Sequence, residues 1–423
     1  MSILFYHIFL WLYRMGIRLI APWNPKARRW IKGREGIFDR IREEFSEKYP
    51  LIWMHCASLG EFEQGRTVLE RLRELYPGYK ILVTFFSPSG YENRKDYAGA
   101  DHIFYLPLDS RKNARLLIDL VQPSLVIWVK YEYWFYYLLE LKKRNIPTLL
   151  LSAVFRPDQP FFRWYGRLHR YMLECFSQLF VQTEASKQLL SRLGLSENVV
   201  VSGDTRFDRV IEIAGREDPL PLIAAFCGNH PVIVAGSTWE EDDEELDHYA
   251  NTHPGIRFII APHEVEEERI LEVEKLFRFC IRYSQLEREQ GPRMVGDRRP
   301  PNVLIIDNMG MLSRLYKYAT ITYVGGGFGD DGVHNVLEAA VYGKPVVFGP
   351  VIEKYVEAVE LADCGGGLVI DSALEAEAVF ERLLGNAEEY RLTCEASRNY
   401  VHARKGATEK VTRYIQEKRL LTS

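Results

Sequence analysis

"ITYVGGGFGDDGVHNVLEAAVYGKPVVFGP", residues 321–350, reads as a strand, a glycine-rich turn, a helix start and a second strand. The run Ile321–Val324 is short, apolar and β-branched, as a strand buried on both faces requires. Gly325, Gly326 and Gly327 let a backbone approach closely, and the polar turn after them leads to a helix expected to begin near His334. That helix carries Asn335, Val336, Leu337 and Glu338. N–H groups at a helix start favour an anion such as a nucleotide phosphate, and Glu338 stands where a carboxylate could accept two ribose hydroxyls. A tight turn followed by a solvated carboxylate is the plainer alternative. Asp330 occupies the place of the last glycine in G-x-G-x-x-G, so this is not the dinucleotide fingerprint.

The same strand-turn-helix rhythm extends in both directions. Upstream, "LIWMHCAS", "KILVTFFS", "LVIWVK", "TLLLSAVF", "LFVQT" and "VVVSG" alternate with helix-period stretches such as "FEQGRTVLERLRELY". A polar stretch near Gly215–Gly228 interrupts the series, which resumes with "PVIVAGS", "RFIIAPH", "FCIRYS", "NVLIID", "ATITYVGGG" and "PVVFGP". Alternation of this kind builds parallel sheets covered by helices on both faces. The expectation is two doubly wound domains, 35–215 and 216–423, with ligands outside the carboxyl ends of the strands and in the cleft between the domains. Residues 284–303, rich in charge, glycine and proline, read as an exposed loop.

The chain has 423 residues, 47% hydrophobic and 26% charged, with a net charge of -4. This composition excludes a disordered chain and argues against a nucleic-acid partner. Six scattered cysteines form no Cys-x-x-Cys pair and point to a reducing compartment. From Met1 to Arg34 there are seven Lys or Arg residues and no acid. The apolar run Ile3–Tyr13 is too short to span a bilayer and lacks the order of a secretory signal. Residues 1–34 are therefore read as a membrane-associated segment, with Phe5, Phe9, Trp11, Leu12 and Tyr13 at the headgroup boundary and "KARRWIKGR" (26–34) against anionic lipid.

Other residues carry weaker chemistry. In "WMHCASLGEFEQGRTVLERL" Glu61 opens an amphipathic helix just past a strand, as a site acid or as a first-turn acid favoured by the helix dipole. Lys130 and Glu132 lie just past another strand, as does Arg206 in "VVVSGDTRFD". "GSTWEEDDEELD" holds seven acids in eight residues, read as a solvated helix start because it lacks the glycine and spacing of a calcium loop. His263 ends the strand in "APHEVEEE", as a base contact or as an ordinary loop histidine. The aromatic run Trp128–Tyr137 reads chiefly as core.

Taken in order, the hydrophobic N-terminus with its "GR", "HCASLGE", "VTFFSPSG", "YLPLD", "GDTRFD", "GST", "DNMGML" and "GVHNVLEAA" with "FGP" resemble the 3-deoxy-D-manno-octulosonic acid (Kdo) transferases, over nearly the whole chain. The resemblance implies a GT-B glycosyltransferase that moves Kdo from CMP-Kdo to the lipid A precursor with inversion, at the cytoplasmic face of the bacterial inner membrane. It implies no metal and no cofactor. Glu61 would be the general base; Lys130 and Arg206 would stabilise charge. Pro262, His263, Met309, Gly310, Met311 and Asn335 to Glu338 would hold CMP, with Gly325–Gly327 as the phosphate loop. The chain departs from the family pattern at Lys130, where Glu is usual, at Arg206, where Lys is usual, and at His263, where Arg is usual. Glu132 is then the substitute carboxylate. A GT-B enzyme using a UDP-sugar and a non-catalytic nucleotide-sugar binder are the rival readings.

Overall fold

The computed structural model describes residues 3–289 and 300–422. Two seven-stranded sheets, every pairing in them parallel, account for the alternation. The first contains β1 (Leu51–Cys56), β2 (Lys80–Phe85), β3 (His102–Tyr105), β4 (Leu125–Val129), β5 (Thr148–Ala153), β6 (Gln178–Val181) and β7 (Val199–Val201). The second contains β8 (Val232–Thr238), β9 (Arg257–Pro262), β10 (Cys280–Arg282), β11 (Val303–Ile305), β12 (Ile321–Val324), β13 (Val346–Phe348) and β14 (Gly367–Val369). Their orders are β3-β2-β1-β4-β5-β6-β7 and β10-β11-β9-β8-β12-β13-β14. Both are the doubly wound, Rossmann-like arrangement expected from the sequence. The additions are β3 and β14, short strands at the sheet edges. Most of the expected loop at 284–303 lies outside the described residues, and its start belongs to a helix, Tyr283–Glu289.

One compact unit is Met1–Arg209 with Lys405–Ser423, the other Val210–Arg404. The boundary differs from the expected one chiefly at the end of the chain, because the helix Ala407–Glu417 packs in the first unit. Its Val411 and Ile415 are fully buried in a core shared with Met54, Leu69 and Phe180. Asp208 secures its start by accepting the N–H groups of Gly406 and Thr408, each at 2.6 Å.

Three helices precede β1: α1 (Ile3–Ile20), α2 (Pro25–Lys32) and α3 (Ile37–Glu44). α1 docks along the stripe Tyr6, Leu10, Tyr13 and Ile17, spaced at helical period, onto the aromatic core of the first unit. Tyr6 donates to Asp109 at 2.5 Å, and Asp109 also accepts the N–H groups of Tyr136 and Tyr137 at 3.0 and 3.1 Å. The remaining faces of α1 expose Leu4, Phe5, Trp11, Leu12 and Leu19. α1 is one helix long and apolar enough to cross a membrane by length and composition. The cationic stretch that follows corrects one expectation. Trp30 is buried, and Arg34 lies over the Trp30, Phe86 and Tyr105 rings at 4.0, 4.9 and 4.8 Å. Arg34 donates to the carbonyls of Leu106, Trp30 and Phe86, so it is a core strut, while Lys26, Arg28, Arg29 and Lys32 are exposed. A Cβ on Gly33 would meet the Tyr105 ring at 2.1 Å, which explains the glycine that precedes it.

Candidate active site

Each sheet reverses its direction of growth once, between β1 and β4 and between β8 and β12. Crevices outside the carboxyl ends of strands at such switch points are where doubly wound sheets bind ligands. Every residue singled out at the ends of β1, β4, β8 and β12 therefore sits at the functional edge of its own unit.

In the first unit β1 runs into α4 (Leu59–Leu75), whose first turn carries Glu61. Ser58, at the N-cap, donates its hydroxyl to the Glu61 carboxylate, which is half-buried. Glu63 and Glu70, later on the same helix, are ion-paired: Glu63 accepts from Arg94 at 2.7 Å and Glu70 from Arg209 at 3.2 Å. At the end of β4, Lys130 adopts φ +30, outside the range most side chains tolerate. Its ammonium lies 4.9 Å from the centre of the Tyr131 ring. Burial raises the pKa of the Tyr131 hydroxyl; Arg156 and Arg206 oppose that shift, and Asp204 and Glu61 add to it. Glu61, Lys130 and Arg206 thus gather around one exposed tyrosine.

Arg206 begins the helix Thr205–Ala214. Asp204, itself buried, accepts both its backbone N–H at 2.9 Å and its Nε at 2.8 Å, which fixes the plane of the guanidinium. Glu132 is fixed as firmly. Its Oε2 accepts from Trp134 Nε1 at 3.0 Å and meets Nε2 of the fully buried His55 at 3.3 Å, while Thr84 contacts the other ring nitrogen of His55 at 2.9 Å. His55 was not singled out from the sequence; its place inside an otherwise apolar strand was the available signal.

In the second unit the glycines prove to be packing devices. Gly325 donates its N–H to Gly236 O at 2.9 Å and Gly326 donates to Asp242 at 2.7 Å, so neither amide serves as a phosphate donor. A Cβ on Gly327 would meet the Gly349 backbone at 2.6 Å, and Gly326 has φ +89. The helix after them is also shorter than expected, Leu337–Ala340. Asn335 still precedes it: its Oδ1 accepts from Leu337 N at 3.3 Å and its Nδ2 donates to Glu338 at 2.9 Å, holding that half-buried carboxylate in place. Burial and then Glu338 push the Tyr342 hydroxyl up to about 12, and Tyr342 donates to Ser313 O at 2.8 Å, beside the Met309–Met311 segment. Met309 is exposed, Met311 is buried, and Gly310 turns the chain with φ +91.

His263 N donates to Thr238 O, which joins Pro262 and His263 to the end of β8. The His263 ring stacks on both Trp239, at 4.7 Å, and His334, at 4.4 Å. Trp239 Nε1 donates to His334 Nε2 at 2.9 Å, so that nitrogen carries no proton. Burial and then the neighbouring His263 depress the His334 pKa to about 4. The acidic run is not uniformly wet. Asp242 and Asp243 are buried, the first accepting from Tyr323, Gly326 and Trp239, the second paired with Arg269. Their helix, Glu240–Thr252, also buries Leu246, Tyr249 and Ala250, so its 3.6-residue period was the missed signal.

A family model described as 3-deoxy-D-manno-octulosonic-acid transferase (kdotransferase) matches residues 31–209, a span that includes Glu61, Lys130 and Arg206. A 3-deoxy-D-manno-octulosonic acid transferase of Haemophilus influenzae is 27% identical, covering 93% of this chain and 92% of its own. Residues 31–209 of the chain thus match the Kdo transferase family. That family is one of glycosyltransferases. A bifunctional glycosyltransferase/methyltransferase of Fusobacterium nucleatum is 26% identical over 90% of this chain, which spans 58% of that relative's length. Among solved structures, UDP-GlcNAc 2-epimerase from Neisseria meningitidis, bound to UDP-GlcNAc, superposes with a TM-score of 0.60 at 17% identity, covering 87% of this chain and 100% of that one. The shared fold is GT-B.

Proposed function

We propose that this chain moves Kdo from CMP-Kdo to a sugar hydroxyl of the lipid A precursor, with inversion, on the cytoplasmic face of an inner membrane. The observation that carries the reading is the family match over residues 31–209, because it contains the one carboxylate, Glu61, placed at the end of β1 and steered by a helix-cap hydroxyl. A sugar hydroxyl is a poor nucleophile, and a carboxylate that takes its proton as the new bond forms contributes ~10²–10⁴-fold. Inversion follows from direct displacement, with no covalent intermediate.

The departing CMP gains negative charge. Arg206, oriented by Asp204, and Lys130 are the cations offered to that charge or to the Kdo carboxylate. Asn335–Glu338 and Met309–Met311, with Pro262 and His263, are assigned to CMP; Glu338 suits the ribose hydroxyls. The roles require no metal and no cofactor. The exposed apolar faces of α1 suit a helix lying in the headgroup region, next to an acceptor that cannot leave the membrane.

Mass spectrometry of lipid A precursor incubated with the protein and CMP-Kdo tests the proposal. Gain of one or more Kdo units supports it. Absence of any gain, together with transfer from a UDP-sugar, overturns it.

A further inference from the structure

A cavity of about 550 Å³ lies beneath α1. Its walls come from Arg14 and Arg18 of α1, from Trp30 and Ile31, from Arg34–Gly36 and the first turn of α3, and from Pro107, Leu108 and Asn113. The volume falls in the range of sites for small organic groups. Its charges are unevenly engaged. Arg34 is committed to three carbonyls, and Asp39 is bound by Arg42 at 2.7 Å. The side chains of Arg14 and Arg18 have no hydrogen bond or ion pair among the described residues, and Trp30 Nε1 is buried without an acceptor among them.

The position of the two arginines says what the cavity faces. They lie one helical turn apart, on the flank between the docked stripe Tyr6–Leu10–Tyr13–Ile17 and the exposed residues Leu4, Ile8, Met15 and Leu19. If those apolar residues enter lipid, the guanidiniums sit at headgroup depth, where long cationic side chains place their charge. Guanidinium pairs match phosphate oxygens in geometry as well as charge.

We propose that this cavity is a binding site for the phosphate-bearing headgroup of a membrane glycerolipid, with Arg14 and Arg18 as the phosphate ligands and Ile37, Phe38 and Pro107 against the glycerol and first acyl carbons. The site rests on the reading of α1 as membrane-facing, and none of Glu61, Lys130 and Arg206 lines it. It would hold the protein in one orientation, which a diffuse charge attraction does not do.

The test is calorimetric titration of the full chain, without donor or acceptor, with dihexanoyl phosphatidic acid below its micelle concentration. Saturable binding is expected, weakened about tenfold or more in R14Q/R18Q and changed less than about twofold in K26Q/R28Q, which removes equal charge outside the cavity. E35Q removes a carboxylate from the lining and should tighten binding about threefold, a gain that misfolding cannot imitate. Inorganic phosphate should bind at least about tenfold more weakly than the lipid. Absence of saturation, equal effects of the two double variants, or inorganic phosphate binding as tightly as the lipid overturns the proposal. Because no sugar nucleotide is present, any of these results leaves the Kdo-transfer reading standing.

Discussion

The carboxylate of Asp242 accepts the backbone N–H of Gly326 at 2.7 Å across 84 residues of sequence, and thereby holds the glycine turn against the start of the helix Glu240–Thr252. The same carboxylate takes the Tyr323 hydroxyl at 2.6 Å and the Trp239 N–H at 2.9 Å. Asp242→Ala leaves three buried donors without a partner, and an expected loss of about 3 kcal/mol follows from the usual cost of such orphans. Urea unfolding measures it, and CMP affinity should fall with it; a variant as stable as the parent would show that the turn is held otherwise.

Glu61→Gln should fold normally and bind CMP normally while turnover falls by at least ~10², since only the proton acceptor is lost. Ser58→Ala should fall by less, because it frees the carboxylate without removing it. Single-turnover measurement separates the two, and near-normal turnover of Glu61→Gln would strip Glu61 of its role.

Glu338→Ala should weaken CMP while leaving acceptor KM nearly unchanged. Asn335→Ala should weaken CMP by a smaller factor, as it removes the amide that steers Glu338 and not the carboxylate itself. Unchanged CMP affinity in both would return Glu338 to a purely solvated role.

Much of this was legible beforehand, and the misses share a cause. Twelve of the fourteen strands announced themselves as apolar runs between turns; β3, which opens on the half-buried His102, and β14, which opens on Gly367 and ends on the exposed Val369, are edge strands without a buried apolar run. Glu61, Lys130, Glu132 and Arg206 could be singled out because each lies within five residues of a strand's carboxyl end. Gly325–Gly327 were assigned to a phosphate because glycine reports close approach but not what approaches; here it is Gly349, Gly332 O and the Ser237–Thr238 backbone. Asp242 and Arg34 were read by charge alone, whereas their helical neighbours decide that both point inward.

His334 should titrate near 4 in a proton NMR experiment, well below the ordinary ~6.5. A depressed histidine pKa means that the unfolded chain binds the proton more readily. The stability that depends on a neutral His334 is therefore fully present above about 6.5 and declines as pH falls toward 4. His334→Gln should flatten that decline. A His334 resonance titrating above 6 would contradict the Trp239 hydrogen bond.

Arg34→Gln should cost about 3 kcal/mol, through the loss of hydrogen bonds to buried carbonyls and of stacking on three rings. Replacing the exposed Lys26, Arg28, Arg29 and Lys32 by Gln should leave the unfolding midpoint unchanged and give salt-dependent release from anionic vesicles. Equal stability of the Arg34 variant would remove it from the core.

The helix Ala407–Glu417 has a consequence for the order in which the protein can be made. Val411 and Ile415 complete the hydrophobic layer behind Met54 and Leu69, on the α4 side of the sheet that carries Glu61. A ribosome delivers those residues only after the whole of the second unit has emerged. During synthesis the first unit must wait with one face of its sheet partly bare, and a chain lacking only its last turns would lose the backing of its proposed general base before it lost any residue near that base.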